Sequence, residues 1–528
     1  MGLIERIGTS KTVLRLLSDD RVMNLTNGVL DAKNRISAAR GLATQALMVL
    51  RDGQALPNID PAMDGNDADV VDGAKAKSNG VGHTNGVNGH APATHIAATS
   101  TATPVGPRTT SEADLAQSMA DRAGLAKVGG RDVFEKCFKF MTADNARAMG
   151  VYPFFRPLDQ NNGPMAQLEG REVVMLGSNN YLGLTTHPKV REAAKQAIDK
   201  YGTSMTGSRL VNGSMRLHEE LENKLAAFHG KESGLVFTTG YQVNIATLSA
   251  LLSNKSTVAV VDKDVHASIY DGIRLGQANK ARMVRYKHND PASLDQALSE
   301  IPDSEGAFVI TDGVFSAQGE IANLPGIVEV VKKHKARIMV DDAHGLGVLG
   351  PQGRGTAAHF GVDKDVDLIG GTFSKSLASI GGWLVGDRKV LDYVRHFAFS
   401  FLFAASAAPP CVAAAMAALD VMQEEPWRQE KLRENFTYMR EELKRLGFEL
   451  GTTQTAVIPI YIRQDLRTVM MWKSLLDDHS IYVNPFITPG VPPKQQVLRT
   501  SYMATHEKHH LDRALEAFEK VGKKFGVI

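Results

Sequence analysis

Residues 370–376 read Gly-Gly-Thr-Phe-Ser-Lys-Ser and follow an apolar run, Val-Asp-Leu-Ile, at residues 366–369. The pattern predicts a strand that ends in a tight loop, with one lysine among small and hydroxylic residues. The Lys375 amine can form a Schiff base with an aldehyde, and the hydroxyls of Thr372 and Ser374 can bind an anion on the same molecule. A lysine in such a loop is more often a solvated surface residue, so other segments must decide between the two interpretations.

Short apolar segments alternate with helical patterns before this loop, which predicts an α/β fold. The predicted strands cover residues 234–238, 257–261, 307–311, 336–340 and 365–369. Helical patterns such as residues 217–228 separate them, and the alternation is typical of a mostly parallel sheet covered on both faces. A smaller α+β domain is predicted to follow, with an Ala-rich helix from about residue 405, strands at 455–462 and 497–502, and a helix at 509–525.

Polar residues follow several of these strands, at the edge where parallel sheets bind ligands. Asp341 ends an apolar strand three residues before His344, and a carboxylate there needs a partner such as a protonated ring nitrogen, unless it caps a helix. His266 follows another strand and places an imidazole in the same crevice. At Gly240 and Tyr241 a strand meets a helix, where backbone N–H groups can hold a phosphate.

These pieces together supply a phosphate cradle, a stacking imidazole, a carboxylate for a ring nitrogen and a lysine for an aldehyde. Pyridoxal phosphate is both an aldehyde and an anion, and it is the cofactor that this set predicts. No metal site is expected, because the two cysteines, Cys137 and Cys411, cannot form a thiolate centre and no histidine group has ligand spacing.

Five motifs make the chain resemble the α-oxoamine synthases, a family of fold-type I pyridoxal-phosphate enzymes. They are residues 177–184 (GSNNYLGL), 202–209 (GTSMTGSR), 218–222 (HEELE), 341–345 (DDAHG) and 371–376 (GTFSKS). The resemblance covers about residues 111–528. It implies a large, mixed but mostly parallel seven-stranded sheet domain followed by a small C-terminal domain.

The resemblance also implies a role for each candidate residue. Lys375 would carry the cofactor as a Schiff base, Asp341 would pair with the ring nitrogen, and His266 would stack on the ring. His344 would approach the ring hydroxyl, and these four form the implied catalytic set. The implied cofactor-binding set is Gly240, Tyr241, His266, Ser316, Asp341, His344, Thr372, Ser374 and Lys375, and the substrate carboxylate would bind Arg499, assisted by Asn179.

Members of this family condense an amino acid with an acyl-CoA and release carbon dioxide. Residues 374–382 (SKSLASIGG), 483–485 (VNP) and 503–506 (MATH) look most like the bacterial serine palmitoyltransferases. That likeness implies L-serine and palmitoyl-CoA as substrates, and 3-oxosphinganine, carbon dioxide and CoA as products, the first step of sphingolipid synthesis. The alternatives are an 8-amino-7-oxononanoate synthase, 2-amino-3-ketobutyrate CoA ligase or 5-aminolevulinate synthase activity, or a non-catalytic partner subunit.

A homodimer with active sites at the subunit interface is a further implication of the resemblance. Several relatives place Thr or Ser after the phenylalanine of one segment, where it reaches the neighbouring subunit's phosphate. This chain has Ala404 after Phe403. The resemblance therefore implies the dimer without that particular contact.

The 528 residues predict several domains, and 43% apolar and 22% charged residues describe an ordinary globular protein. We expect a helical extension (1–56), a disordered linker (57–110), an N-terminal arm (111–165), the large domain (166–404) and the small domain (405–528).

A net charge of +2 gives no reason to expect nucleic acid as a partner. The two cysteines and the absence of long apolar runs predict a cytoplasmic protein. The amphipathic, basic extension is either an appendage of its own protein or a contact for the inner membrane or a carrier protein.

Overall fold

The computed structural model describes residues 130–488 and 490–528. The predicted helical extension, the linker and the first part of the N-terminal arm lie outside the described residues. Residues 146–528 belong to one compact unit, and residues 130–145 belong to a second. Helix α1 (Glu135–Phe138) lies in the second unit, and α2 (Thr142–Ala148) begins there.

Fourteen strands, thirteen further α-helices and two 3-10 helices, Leu184–Thr186 and Pro351–Gly353, are defined in the described part of the chain. The strands are β1 (Gln160–Asn161), β2 (Met165–Leu168), β3 (Arg171–Met175), β4 (Ser233–Phe237), β5 (Thr257–Asp262), β6 (Arg282–Tyr286), β7 (Gly306–Asp312), β8 (Arg337–Asp341), β9 (Leu368–Thr372), β10 (Gly382–Gly386), β11 (Val457–Tyr461), β12 (Ile481–Tyr482), β13 (Asn484–Phe486) and β14 (Val497–Ser501). The helices are α3 (Pro188–Tyr201), α4 (Arg216–His229), α5 (Gly240–Leu251), α6 (Ala267–Gln277), α7 (Pro291–Ser299), α8 (Leu324–Lys333), α9 (Thr356–Phe360), α10 (Arg388–Phe397), α11 (Phe399–Leu402), α12 (Pro409–Glu424), α13 (Trp427–Arg445), α14 (Asp465–His479) and α15 (Lys508–Lys524).

The central sheet has seven strands in the order β4-β10-β9-β8-β7-β5-β6. Strand β10 is antiparallel to both of its neighbours, and β9, β8, β7, β5 and β6 pair in parallel. The predicted mixed, mostly parallel sheet is therefore confirmed. The sequence-based prediction did not include β6, which has no buried residue before Tyr286, or β10, which is rich in glycine.

Continuous apolar runs make the middle strands of this sheet buried on both faces. In β5 every residue from Val258 to Asp262 is buried, and in β8 the run Ile338, Met339 and Val340 is fully enclosed. Such runs are typical of parallel strands covered by helices on both sides. Because β4, β5, β7, β8 and β9 point the same way, the polar residues at their carboxyl ends share one edge of the sheet.

The loop that carries Lys375 is shorter than the sequence suggests. Strand β9 begins at Leu368 and continues through Thr372, so the two glycines belong to the buried strand and not to the loop. A Cβ at Gly371 would lie 2.9 Å from the ring of Trp383, and one at Gly370 would lie 3.1 Å from Val243. The glycines therefore let the neighbouring strand and helix approach closely, and the loop starts at Phe373.

Two smaller sheets bring distant parts of the chain together. One has the order β1-β2-β3-β12 and the other β11-β14-β13. Strand β12 pairs in parallel with β3. Leu176 directly follows β3, and its carbonyl accepts from the N–H of Ser501, the last residue of β14, at 2.7 Å. The segment after β3 therefore lies beside β14. The domain boundaries at residues 165 and 404 remain a prediction.

No helix among residues 130–488 and 490–528 is long and apolar enough to cross a membrane.

Candidate active site

A cavity of about 430 Å³ opens at the carboxyl ends of the parallel strands. It brings together nine of the eleven predicted site residues: Gly240, Tyr241, His266, Ser316, Asp341, His344, Thr372, Ser374 and Lys375. The other two, Asn179 and Arg499, do not line the cavity, and they connect to it through hydrogen bonds described below. Segments more than 100 residues apart in the chain therefore form one site.

Lys375 lies in the loop after β9 and faces the cavity. Burial is the main cause that lowers the pKa of its amine from 10.5 to about 8; Arg499 also lowers it, whereas Asp341 and Asp312 raise it. A lysine with this pKa is partly neutral near pH 8 and is therefore a competent nucleophile and base.

Asp341 is held in place at the end of β8 by two hydrogen bonds. Asn244 Nδ2 donates to Asp341 Oδ2 at 2.7 Å, and the Ala343 N–H donates to Oδ1 at 3.1 Å. Asn244 is 2% exposed and lies on α5, so the helix that follows β4 fixes the carboxylate of β8. The Ala343 bond closes a local turn and not a helix, since no helix follows β8 before residue 351, so Asp341 is not a helix cap; it lines the cavity.

His266 begins α6 as its N-cap residue and faces the same cavity. The Ser268 N–H donates to His266 Nδ1 at 3.3 Å, so Nδ1 is an acceptor and the proton of the neutral ring lies on Nε2. Burial is the main cause that lowers the pKa of His266; Lys375 also lowers it, whereas Asp341 raises it. A neutral imidazole at this position presents a flat face for stacking.

His344 is buried beneath the loop of Lys375 and contacts Tyr181. The Tyr181 hydroxyl lies 2.6 Å from His344 Nδ1. Burial above all, with the positive charges of Lys375 and Arg499, holds the pKa of His344 well below its usual value. The imidazole is therefore neutral, and its tautomer sets which group donates in the hydrogen bond between His344 Nδ1 and the Tyr181 hydroxyl.

The other end of the cavity is suited to an anion. The N–H groups of Gly240 and Tyr241 belong to the first turn of α5, where backbone donors have no partner within the helix. The Thr239 hydroxyl caps α5 by accepting from the Gln242 N–H at 3.0 Å. The hydroxyls of Thr372 and Ser374 lie 2.8 Å apart and line the same cavity. A Cβ at Gly240 would lie 2.5 Å from Thr372 Cβ, so any larger residue would fill this cradle.

A second set of contacts fixes Arg499, which is 3% exposed. The Arg499 Nε donates to the Ser316 carbonyl at 2.7 Å, and Nη2 donates to Asn179 Oδ1 at 3.0 Å. Nη1 donates to Ser501 Oγ at 2.9 Å. The guanidinium is thus held from three sides beside a cavity-lining residue. It can bind an anion there without first having to be ordered.

These residues fit pyridoxal phosphate on the chemistry of their donors. Lys375 offers an amine for the aldehyde, Asp341 an acceptor for the ring nitrogen, and His266 a flat face for the ring. The helix start at Gly240 and the Thr372 hydroxyl offer donors to the phosphate. All of these groups line one cavity, as a molecule with an aldehyde, a ring nitrogen and a phosphate requires.

The comparisons with known proteins agree with this donor set. The sequence profile described as "Aminotransferase class I and II" matches residues 171–518. The chain belongs to this family. A serine palmitoyltransferase of Sphingobacterium spiritivorum is 42% identical over 390 residues, which cover 74% of this chain and 96% of the relative.

Two further matches place the chain within the family. A high-resolution structure of serine palmitoyltransferase with PLP as an internal aldimine superposes with a TM-score of 0.72 and 34% identity, and the match covers 75% of this chain and all of that one. An 8-amino-7-oxononanoate synthase of Thermoanaerobacter pseudethanolicus is 39% identical over 73% of this chain and 96% of its own length. The resemblance to the α-oxoamine synthases and the fold-type I architecture are thereby confirmed.

Three residues of the site were not assigned a role from the sequence. Asn244 holds Asp341, Ser268 holds His266, and Tyr181 contacts His344. Tyr181 lies within a motif that the sequence did single out, so that motif was the available signal. Asn244 and Ser268 lie inside ordinary helical patterns, and only the packing of α5 against α6 brings them together, with Asn244 Nδ2 2.8 Å from Ser268 Oγ.

Proposed function

We propose that this chain catalyses the decarboxylating condensation of L-serine with a long-chain acyl-CoA, most readily palmitoyl-CoA. The products are 3-oxosphinganine, carbon dioxide and CoA. The observation that carries the proposal is the placement of Lys375, Asp341 and His266 around one cavity, with the ordered Arg499 beside it. The similarity to proteins named serine palmitoyltransferase favours serine and a palmitoyl donor over other substrates.

Pyridoxal phosphate, when bound, supplies an electrophilic aldehyde carbon and a conjugated ring that withdraws electrons from the substrate's Cα. The residues that would hold it are Lys375, Asp341, His266, His344 and the cradle of Gly240, Tyr241, Thr372 and Ser374. Ser316 lines the same cavity, where it was predicted to contribute to this set.

Lys375 acts as the base of the reaction. Its lowered pKa makes the neutral amine available near pH 8, so the Nζ atom can take the proton from Cα of the amino acid. The Cα then bonds to the acyl carbon and the CoA thiolate leaves. After the carboxyl group departs as carbon dioxide, Lys375 can return a proton to Cα. One proton leaves Cα and one returns to it, and one carbon–carbon bond forms at Cα while another breaks. The reaction therefore needs no further reagent.

Arg499 controls which bond at Cα reacts first. Its guanidinium forms a planar fork that matches the substrate carboxylate, and Asn179 already orients one edge of it. A carboxylate held in this way keeps the Cα–H bond, and not the Cα–carboxyl bond, directed toward Lys375. The order of events, proton removal before loss of carbon dioxide, depends on this contact.

The decisive experiment is a substrate panel with the purified holoenzyme. Carbon dioxide release is measured with serine, alanine and glycine, each against acyl-CoA donors of increasing chain length. We expect serine with palmitoyl-CoA to give the highest kcat/KM. A preference for alanine would instead support the 8-amino-7-oxononanoate synthase activity of relatives that are 39% identical. A colourless protein that releases no carbon dioxide would indicate a non-catalytic partner subunit.

We also propose that the chain forms a homodimer with the cavity at the subunit interface. Support comes from large apolar side chains that one protomer leaves uncovered, among them Ile380, which lines the cavity and is 63% exposed. Phe399 and Phe403 are 73% and 75% exposed, and such a patch is typical of an interface. Light scattering after size exclusion gives the oligomeric state; a monomer at micromolar concentration would contradict the proposal.

The role of residues 1–110 and the cytoplasmic location remain predictions. Deletion of residues 1–110 separates the two interpretations of that segment. If it serves as a contact with the inner membrane or a carrier protein, the shortened protein changes its location or its use of the acyl donor and keeps its turnover in solution. Fractionation of cells that express each form, together with the carbon dioxide assay, measures both properties.

A further inference from the structure

His288 does not line the cavity, and each of its ring nitrogens contacts a carboxylate. Its Nδ1 lies 3.0 Å from Asp262 Oδ1, and its Nε2 lies 3.0 Å from Glu320 Oε2. Ionised carboxylates only accept hydrogen bonds, so both ring nitrogens must donate and the ring is an imidazolium. Burial alone would lower the pKa of His288, and the bonds to Asp262 and Glu320 outweigh that effect and raise it to about 10.

The imidazolium connects the end of β5 to a hairpin between β7 and α8. This hairpin, residues 314–321, is closed by the Phe315 N–H, which donates to the Glu320 carbonyl at 2.9 Å, and by a bridge between Val314 and Ile321. The edge of the His288 ring packs against Phe315, with centroids 4.3 Å apart. Glu320 also accepts a hydrogen bond from Thr452, in the loop before β11.

The neighbouring residue fixes the base of the same hairpin. Asn289 Nδ2 donates to the Ile321 carbonyl at 3.0 Å, and the Asn323 N–H donates to Asn289 Oδ1 at 2.6 Å. The Asn289 N–H itself donates to Asp262 Oδ2 at 2.6 Å. Asp262 thus anchors both His288 and Asn289, and the hairpin is held from its base and from its side.

The tip of the hairpin reaches the substrate side of the cavity. The carbonyl of Ser316 accepts from Arg499 Nε at 2.7 Å, and Ser316 lines the cavity. A shift of the hairpin would move this carbonyl and allow the guanidinium to rotate away from its place. We propose that His288 is a positioning residue for Arg499, acting through Glu320 and the Ser316 carbonyl, an inference that rests on the proposed role of Arg499 in carboxylate binding.

The test compares amino-acid binding by the holoenzyme variants in spectral titrations with serine. In His288→Phe the ring volume is kept and both hydrogen bonds are lost. We expect the dissociation constant for serine to rise roughly tenfold, because the hairpin no longer fixes Arg499. The affinity for pyridoxal phosphate should stay within about twofold, since the residues proposed to bind it lie elsewhere in the cavity.

A double-substitution cycle separates positioning from general stability. If His288 acts through Arg499, His288→Phe should add little to the weakened serine binding of Arg499→Lys. A purely structural role predicts that the two effects multiply, and that result, or an unchanged dissociation constant in His288→Phe, overturns the inference. If Arg499→Lys itself binds serine normally, the proposed carboxylate site is wrong and the inference fails with it.

Two further variants serve as controls. His334 has a side-chain exposure of 19%, close to the 17% of His288, and it pairs with Asp295 at 2.6 Å at the C-terminal end of α8, outside the hairpin. His334→Phe should lower thermal stability without changing serine binding. If His288→Phe fails to fold, Glu320→Leu tests the same link, and it should weaken serine binding more than Glu320→Gln, whose amide oxygen can still accept from His288. Equal binding by those two variants contradicts the inference.

Discussion

The two sides of the cavity are built in different ways. On the cofactor side, Asp341, Thr372 and Lys375 come from the ends of adjacent parallel strands, whose register the sheet fixes. On the carboxylate side, where Arg499 is proposed to bind the substrate carboxylate, Arg499 of β14 bonds to Ser316 and Asn179. These residues are 183 and 320 positions away in the chain. The first arrangement follows from the sheet itself, whereas the second depends on a few hydrogen bonds between separate segments. Substitutions on the two sides should therefore fail differently.

The largest effect is expected for Lys375→Ala on the cofactor side. A loop lysine contributes little to the core, so the fold should remain intact while turnover falls by roughly a thousandfold or more. Carbon dioxide release measures turnover and circular dichroism measures the fold. Borohydride reduction of the wild-type holoenzyme followed by peptide mapping should place the cofactor on Lys375, and a label on another lysine would refute the assignment.

Asp341→Asn should slow the reaction on the order of a hundredfold and leave the cofactor bound. An amide cannot stabilise a protonated ring nitrogen as a carboxylate does, although Asn244 can still bond to the residue that replaces Asp341. Absorbance of the purified variant shows retention of the cofactor, and single-turnover rates show the loss. A variant with most of the wild-type rate would exclude the role of Asp341 as partner of the ring nitrogen.

Arg499→Lys tests the carboxylate side. An ammonium cannot reproduce the planar fork, and the bonds to Ser316 and Asn179 cannot all be kept, so serine affinity should fall roughly tenfold to a hundredfold. Cofactor affinity should be nearly unchanged. Spectral titration of the holoenzyme with serine gives the serine affinity, and titration of the apoenzyme with pyridoxal phosphate gives the cofactor affinity. Parallel losses of the two affinities would show that the two sides are not independent.

The pH dependence of cofactor uptake tests the lowered pKa of Lys375, which belongs to the cofactor side only. The amine must be neutral to attack an aldehyde, and with a pKa of about 8 it is protonated below that pH and neutral above it. The rate at which the apoenzyme takes up pyridoxal phosphate should thus rise about fivefold from pH 7 to pH 8 and level off above pH 9. A rate that keeps rising through pH 10 would indicate an ordinary, exposed lysine.

The smallest effect is expected for Tyr181→Phe. Tyr181 contacts residues on both the cofactor side and the carboxylate side. Its hydroxyl lies 2.6 Å from His344 Nδ1 and 3.3 Å from Asn179 Oδ1. Both partners are neutral groups, so loss of the hydroxyl should lower kcat/KM by only about threefold. Steady-state kinetics with serine decide which side is affected: a rise in KM points to Asn179, and a fall in kcat points to His344.

The sequence by itself predicted the α/β fold, the positions of five strands of the central sheet and the residues of the cofactor side of the site. Apolar runs mark buried parallel strands, and residues directly after them must meet at one edge, so Asp341, His266 and Lys375 could be placed together from local pattern alone. It also indicated pyridoxal phosphate, because residue types alone identify an amine, a carboxylate and an anion-binding helix start.

Only the tertiary structure showed which residues hold Arg499 and which residues support the two sides of the cavity. Without the family resemblance Arg499 would pass as a surface arginine, yet it is buried between segments joined by the pairing of β3 with β12 and the bond from Ser501 to Leu176. The pKa of Lys375, the placement of Asn244 and the link from His288 to Ser316 depend likewise on packing. Contacts between residues hundreds of positions apart leave no periodic trace in a single sequence, because each is created by the folding of everything between them.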